Sequence, residues 1–222
     1  MQFFNIESIF FEVLEYPMSY LEFFGTIAGA IAVGISARAN VWSWPIGIIN
    51  VVLLFFLFYQ VQLYPDMLLQ VFFLITNILG WLRWKHPAPA EENKHHELKV
   101  SLLSKRGRYW ILAGVSVATV LMGSIASQLS NWFPSIFIKP SAFPYSDSFV
   151  TVVSMVAQYL MLQKKVECWI LWIVADVVAT FLYFSKDVKF LGLEYLVFCF
   201  MAAYGFWHWR NEFRVDTISS SV

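Results

Sequence analysis

The sequence is poor in charged residues and in cysteine. Only 14% of its 222 residues are charged, against about 25% in soluble domains. The 15 basic and 15 acidic side chains balance, which argues against a nucleic-acid binder. The two cysteines, Cys168 and Cys199, lie in apolar runs and are interpreted as small buried hydrophobes. Neither a disulfide nor a cysteine metal site is expected.

Catalytic signatures are absent as well. No Gly-x-Ser-x-Gly, HExxH or P-loop pattern occurs. The sequence therefore shows no motif for hydrolysis and none for ATP binding. The four histidines fall outside the apolar runs or at their edges. An intramembrane enzyme needs a nucleophile or a metal at depth, and we find no candidate beyond one acid, Asp176. We therefore expect no enzymatic activity, no cofactor and no metal ion.

Long apolar runs dominate what is present, since 59% of the residues are hydrophobic. A spanning helix needs about 20 mostly apolar residues. Seven stretches qualify, of which the fifth is the shortest: 18–37, 43–62, 65–84, 109–130, 147–163, 168–186 and 189–209. The predicted fold class is an all-α, polytopic membrane protein with seven transmembrane helices.

The segments outside these runs are polar. Residues 1–17 are interrupted by Glu7, Glu12 and Glu15, so they are expected to lie at the membrane interface. They also lack the basic start and the cleavage site of a signal peptide. Residues 85–108 are charged and contain proline, which indicates an exposed linker. Residues 210–222 form a polar tail.

The positive charges predict the orientation. With seven spans, 12 of the 15 Lys and Arg residues fall on the side that holds the linker and the tail, and three fall on the other side. Basic residues concentrate in cytoplasmic segments of membrane proteins. The linker and the C-terminus are therefore expected in the cytoplasm.

Two similar stretches end the third and the seventh span. "GWLRWK" (80–85) and "GFWHWR" (205–210) both read Gly, aromatic, two residues, Trp, base. At an offset of 126 residues Asn50 aligns with Asp176, and one residue of slippage later aligns Gly80 with Gly205. The spacing indicates an internal repeat, although a chance repetition of interfacial tryptophans would look similar.

The repeat divides the chain into two parts in parallel orientation. Residues 18–84 form the first three-helix repeat, 109–130 the connector helix and 147–209 the second three-helix repeat. Parallel repeats are a known transporter architecture, with substrate bound near the bilayer midplane where the halves meet. We therefore expect a small-molecule site between the repeats.

One helical face of the sixth span carries the strongest site candidates. Asp176 lies nine residues past Glu167, about 14 Å along the helix and close to the membrane centre. A charge there costs at least about 2.5 kcal/mol in lipid, so it should face protein or water. Trp169, Trp172 and Tyr183 share its face. This face suits a ligand with a flat ring and hydroxyl groups.

Uncharged polar residues extend the candidate site to other spans. Each could instead join two helices through a hydrogen bond worth under about 1 kcal/mol, but a single cavity would explain them together. Trp44 precedes this group near the membrane boundary, and Tyr195 aligns with Gln70 across the repeat. The amides are Asn50, Gln70, Asn77 and Gln158.

Several stretches resemble the PnuC family of bacterial nicotinamide riboside transporters over residues 18–210. They are "WSWPIGIINVVLLFFLFY", "LLQVFFLITNILGWLRW", "ECWILWIVADVVATFLYF" and "YGFWHWR". The resemblance implies a 3+1+3 helix fold related to the SWEET sugar transporters, a homotrimer, and uptake of nicotinamide riboside by facilitated diffusion. It also implies that intracellular phosphorylation traps this NAD precursor.

Other functions stay open at this point. A related vitamin or nucleoside transporter has the same architecture, and a proton-coupled mechanism would use Asp176 as the proton site. An intramembrane enzyme would convert its substrate without moving it. A structural membrane subunit would bind no small molecule.

Overall fold

The computed structural model describes residues 4–13, 16–62, 64–92, 97–134, 142–186 and 189–219. Two short strands precede seven helices. The elements are β1 (Ile9–Val13), β2 (Tyr16–Ser19), α1 (Tyr20–Ala37), α2 (Ser43–Gln60), α3 (Tyr64–Lys85), α4 (Lys105–Trp132), α5 (Pro144–Leu162), α6 (Glu167–Ser185) and α7 (Lys189–Ser219). This confirms the predicted all-α class, and each helix begins within a few residues of the predicted span.

Among the described residues, six helices are long and apolar enough to cross a membrane. The remaining helix, α5, corresponds to the shortest predicted span. Nine of its 19 residues are buried, so it lies enclosed by other helices and has little need for an apolar outer surface.

Local capping fixes where the first helix begins. The Glu22 amide donates to Ser19 Oγ at 3.3 Å, and the Ser19 amide donates to Glu22 Oε2 at 2.8 Å. This reciprocal pair satisfies two amides that the first turn leaves without partners. At the other end, Ala39 takes a left-handed conformation with φ of 56°, which turns the chain toward α2.

The helices around the molecular centre form a closed ring of six. In the first repeat α2 packs between α1 and α3, and in the second repeat α6 packs between α5 and α7. The repeats meet where α1 contacts α7 and where α3 contacts α5. The connector α4 packs on α5 from outside the ring. Exchanging the two repeats therefore replaces the contact of α1 with α7 by the contact of α5 with α3.

Equivalent contacts give the register of the repeat. The ring of Trp44 lies so close to Gly80 that an added Cβ would overlap it, and the ring of Trp169 lies against Gly205 in the same way. Trp169 follows Trp44 by 125 residues, and Gly205 follows Gly80 by the same number. The offset of 126 that aligned Asn50 with Asp176 is therefore wrong for α2 and α6. An offset of 125 places Asp176 opposite an apolar residue, Val51.

The N-terminal segment forms an antiparallel hairpin between β1 and β2, in which Val13 pairs with Tyr16. The side chain of Gln60 fastens this segment to the end of α2, because it accepts from the Ile6 amide at 3.0 Å and donates to the Phe4 carbonyl at 2.8 Å. The ring of Tyr16 stacks on Phe190 at 5.7 Å. The hairpin thus touches both repeats at the end opposite the linker.

The linker is only partly exposed, unlike the expectation for residues 85–108. Leu98 and Val100 are each 2% exposed and join the main apolar core, because alternating residues of an extended segment point to the same side. The Val166 amide donates to the Ser101 carbonyl at 3.0 Å. The linker therefore packs on the turn between α5 and α6. Residues 93–96 lie outside the described part of the chain.

Candidate functional site

Four buried tryptophans meet at the linker end of the helix ring, and we call Trp44, Trp84, Trp169 and Trp209 the tryptophan cluster. The ring centroids of Trp44 and Trp84 lie 5.1 Å apart, those of Trp84 and Trp209 5.7 Å, and those of Trp209 and Trp169 5.5 Å. Each of the four is at most 2% exposed. The cluster links both repeats and forms a floor at this end of the ring.

Trp44 and Trp169, both predicted as site residues, take equivalent places in this cluster. Each ring packs face-on against a glycine of the neighbouring helix, and each indole Nε1 is buried without a hydrogen-bond partner among the described residues. Sequence reasoning missed Trp84 and Trp209. Their repeated Trp-base motif was the available signal, but it is also typical of interfacial tryptophans.

Lys164 is a second residue that sequence reasoning missed. Its side chain is 1% exposed, and its Nζ lies 4.8 Å from the centre of the Trp84 ring, which is a cation–π distance. Its φ of 52° is left-handed. The buried cation therefore adjoins the tryptophan cluster at the turn between α5 and α6.

Trp172 and Asp176 form a wall in the second repeat above the tryptophan cluster. The Trp172 Nε1 is buried and has no partner among the described residues. Asp176 is 4% exposed, and the hydrogen bonds of the described residues leave its carboxylate without a donor. An unpaired indole and an unpaired carboxylate on one face are unusual in a packed interior.

The first repeat has the opposite arrangement of large and small side chains. Its residue equivalent to Trp172 is Gly47, and a Cβ added there would lie 2.5 Å from Asn77 Oδ1. Asn77 is 6% exposed, and its Nδ2 donates to the Phe73 carbonyl at 2.7 Å. The equivalent of Asn77 in the second repeat is Ala202. The site is therefore asymmetric, with an aromatic ring on one side and an amide on the other.

Gln158 and Gln70 lie on α5 and α3, the helices that join the repeats. Both are 7% exposed. Counted from the helix ends at the tryptophan cluster, Gln158 lies about 6 Å along its helix, Asn77 about 12 Å, Asp176 about 14 Å and Gln70 about 22 Å. The polar residues therefore lie at different depths in the ring. Asn77 and Asp176 lie at nearly the same depth, Gln158 lies nearer the tryptophan cluster, and Gln70 lies toward the other end.

Tyr183 and Tyr195 mark the end opposite the tryptophan cluster. Their rings stack with centroids 5.3 Å apart and planes 7° apart. The Lys186 Nζ lies 5.7 Å from the Tyr183 ring and forms a 2.7 Å ion pair with Asp147. Stacked aromatic rings and a neutralised ion pair therefore mark this end of the ring.

Asn50 lies apart from these groups. Its Nδ2 donates to the Gly25 carbonyl at 2.8 Å, and a Cβ added to Gly29 would lie 3.0 Å from the same nitrogen. The side chain thus fills the contact between α1 and α2, which favours a packing role. Within the described ranges, no group of three or more His, Cys, Asp or Glu residues could hold a metal ion.

The chain matches the family model described as "Nicotinamide mononucleotide transporter" over residues 19–211. It is 31% identical to the nicotinamide riboside transporter PnuC of Escherichia coli, with 96% of each chain covered. It is 26% identical to the riboflavin/roseoflavin transporter RibM of Streptomyces davaonensis, with 93% of this chain and 92% of the relative covered.

A solved structure with a similar fold is the crystal structure of the vitamin B3 transporter PnuC. The TM-score is 0.64 at 26% sequence identity, and the match covers 89% of this chain and 83% of the other. The similarity therefore includes both repeats and the connector, so the shared fold extends over nearly the whole chain.

Proposed function

The chain belongs to the nicotinamide mononucleotide transporter family, and from this premise we propose that it takes up nicotinamide riboside, a precursor of NAD, across the bacterial inner membrane. The observation that carries the proposal is the wall of Trp172 and Asp176. Its indole N–H and its carboxylate have no protein partner among the described residues. Unpaired polar groups at depth are costly, and a bound substrate would supply the missing partners.

The substrate's chemistry matches this wall. The pyridinium ring of nicotinamide riboside is flat and cationic, so it can lie against the Trp172 indole and near the Asp176 carboxylate. Asn77 lies at a similar depth on α3, and Gln158 lies about 8 Å nearer the tryptophan cluster on α5. Their amides suit the ribose hydroxyls or the carboxamide. The proposed site therefore uses both repeats.

The other predicted residues lie outside the binding site in this proposal. Tyr183, Tyr195 and Gln70 line the entry end, where the tyrosine rings offer aromatic faces to the cation. Trp44 and Trp169 belong to the tryptophan cluster that closes the exit end. Asn50 stabilises the contact between α1 and α2.

The mode of transport is part of the same proposal. Transport is facilitated diffusion, and phosphorylation of the riboside inside the cell keeps the gradient directed inward. The linker and the C-terminus face the cytoplasm, since most basic residues lie at that end. The working unit is a homotrimer, as the family resemblance implies.

A related vitamin is the alternative substrate, favoured by the similarity to a riboflavin/roseoflavin transporter. Riboflavin has a flat but uncharged ring system, so it would gain less from Asp176 than a pyridinium does. Proton coupling through Asp176 is a second variant of the proposal. Both variants retain the cavity between the repeats.

Uptake of labelled nicotinamide riboside into proteoliposomes tests the proposal. We expect saturable uptake that unlabelled nicotinamide riboside competes away, whereas riboflavin, thiamine and adenosine compete at least tenfold more weakly. Stronger competition by riboflavin would replace the proposed substrate with a flavin. Recovery of a chemically altered product would instead indicate an enzyme.

A further inference from the structure

A groove of about 400 Å³ lies at the basic end of the molecule, separate from the proposed transport site. It runs between the start of α4, the start of α6 and the end of α7. Its floor is apolar, formed by Leu102, Val166, Ile170, Phe206 and Phe213. Its remaining lining residues are charged: Arg108, Glu167, Arg210 and Arg214. Arginines at the edge of an apolar floor form an amphipathic surface.

The charges of this groove are unbalanced. Arg108 is neutralised by Glu167, since their Nη2 and Oε1 atoms lie 2.9 Å apart. The same carboxylate accepts from the Leu103 amide at 3.0 Å, so its bonding capacity is largely used. Arg210 and Arg214 have no carboxylate partner in the part of the chain that the structure describes. The groove therefore retains two positive charges.

The two unpaired arginines lie on one face of α7. They are four residues apart, a spacing that brings side chains together on a helix and makes like charges repel. The Arg210 guanidinium lies 5.8 Å from the centre of the Phe206 ring, which directs it along the groove floor. An anion between Arg210 and Arg214 would relieve the repulsion and could accept hydrogen bonds from both guanidinium groups.

The exposed aromatic residues near the groove indicate that it lies at the depth of lipid headgroups. Tyr109, Trp110 and Trp207 are 75%, 68% and 60% exposed near the same helix ends, as expected of an aromatic belt at a membrane surface. Ile170 on the floor is itself 45% exposed, so the groove is accessible from the apolar side. Basic pockets between transmembrane helices near the headgroup layer are suited to anionic lipid headgroups.

We propose that this groove binds one anionic phospholipid. The phosphate lies between Arg210 and Arg214, and an acyl chain lies along Phe206 and Ile170. A free phosphate would leave the apolar floor uncovered, whereas a phospholipid matches both the charge and the floor. The bound lipid connects α4, α6 and α7 and thereby attaches the connector helix to the second repeat.

Native mass spectrometry of the purified full chain tests this proposal by counting bound lipids in the absence of transport substrate. The probe is dioleoyl-phosphatidylglycerol, with dioleoyl-phosphatidylcholine as the neutral comparison. We expect preferential binding of one phosphatidylglycerol per chain. Arg210→Ala combined with Arg214→Ala should weaken that binding on the order of tenfold or more, because each basic residue contributes to the attraction of an anionic headgroup.

Lys105→Ala combined with Arg106→Ala is the matched control. It removes the same charge from exposed positions at the start of α4 that do not line the groove, and it should leave phosphatidylglycerol binding within about twofold. If the arginine-to-alanine pair folds poorly, Arg210→Gln with Arg214→Gln keeps most of each side chain and should lose the same preference.

Three results would overturn the proposal. The parent chain could bind the two lipids equally, or the control pair could weaken binding as much as the arginine pair. The arginine pair could also change the oligomeric mass and not the lipid count, in which case a second copy of the chain occupies the groove. Transport activity enters none of these readouts, so failure of the proposed function leaves the lipid test intact.

Discussion

The indole Nε1 of Trp209 donates a 3.0 Å hydrogen bond to the backbone carbonyl of Ser36. This bond joins α7 of the second repeat to the end of α1 in the first. Trp84 makes the equivalent bond in the opposite direction, from α3 to the Met161 carbonyl near the end of α5 at 3.3 Å, and the same N–H also reaches the Leu162 carbonyl at 3.2 Å. The same contact is therefore used twice to hold the repeats together at the basic end. Any opening of this end must break or rearrange these bonds.

Replacing Trp209 with Phe should lower stability. The substitution removes the indole hydrogen bond and puts a smaller ring in a fully buried place. The Ser36 carbonyl keeps its other donor, the Ala39 amide at 2.9 Å, so we expect a loss of about 1–3 kcal/mol from the lost bond and the poorer packing. Chemical unfolding in detergent measures the loss. Trp207→Phe is the control on the same helix, because Trp207 is 60% exposed, and it should change stability by less than about 0.5 kcal/mol. Equal losses in the two variants would show that the hydrogen bond is not important.

Adding a methyl group at Gly205 should be more damaging than adding one elsewhere. A Cβ there would overlap the Trp169 ring, and overpacking of this kind costs about 1–3 kcal/mol. Gly80→Ala should behave alike, because its Cβ would overlap Trp44. Gly114→Ala on α4 is the control, since no atom lies within 4 Å of its added Cβ. That control should be neutral or stabilise by up to about 1 kcal/mol through helix propensity. Thermal unfolding measures the three variants. If Gly114→Ala loses as much stability as Gly205→Ala and Gly80→Ala, the two tryptophans do not pack closely on these glycines.

Asn50 and Gln158 should respond differently to alanine substitution, although both were candidates from the sequence. Asn50→Ala removes a hydrogen bond to the Gly25 carbonyl, so it should cost about 1 kcal/mol of stability and leave the substrate Kd within about twofold. Gln158→Ala should weaken the Kd about fivefold or more, a typical loss for one polar contact. Isothermal titration of each variant with nicotinamide riboside distinguishes these roles, and the reverse order would place Asn50 in the site.

Asp176→Asn separates charge recognition from proton coupling. The amide keeps the size of the side chain but removes its charge, so binding of the cationic riboside should weaken about tenfold, as loss of a charged partner requires. Counterflow between equal substrate pools should persist in the variant. Uptake by the parent chain should also be insensitive to an imposed pH gradient. Uptake driven by that gradient, and abolished by Asp176→Asn, would support the proton-coupled variant.

The sequence predicts the helices well because lipid imposes a simple rule on them. Each span needs enough apolar residues to cross the bilayer, so the length of a run gives the helix, and the spacing of the Gly-Trp motifs gives the repeat. Helical periodicity likewise placed Trp172 and Asp176 on one face. Run length, motif spacing and helical periodicity depend on the local sequence, and neighbouring helices hardly change them.

Contacts between helices were harder to predict. The one-residue error in the repeat offset arose because Asn50 and Asp176 look equivalent by polarity, whereas the packing of Trp44 on Gly80 decides the register. Trp84 looked like an interfacial anchor because it lies beside a basic residue at the end of a span. Whether it is buried depends on which helix lies opposite, and the sequence does not show that. The linker looked exposed from its charge, yet Leu98 is buried. In each case the deciding partner is distant in the sequence.

Binding of nicotinamide riboside to purified Trp172→Ala protein is the decisive measurement for the proposed site. We predict saturable binding to the parent chain and a Kd at least tenfold weaker in the variant, because a desolvated cation–π contact contributes about 2 kcal/mol. Trp207→Ala, which removes an exposed indole from α7, should leave the Kd unchanged. If Trp172→Ala binds nicotinamide riboside as tightly as the parent chain, the wall of Trp172 and Asp176 is not the substrate site.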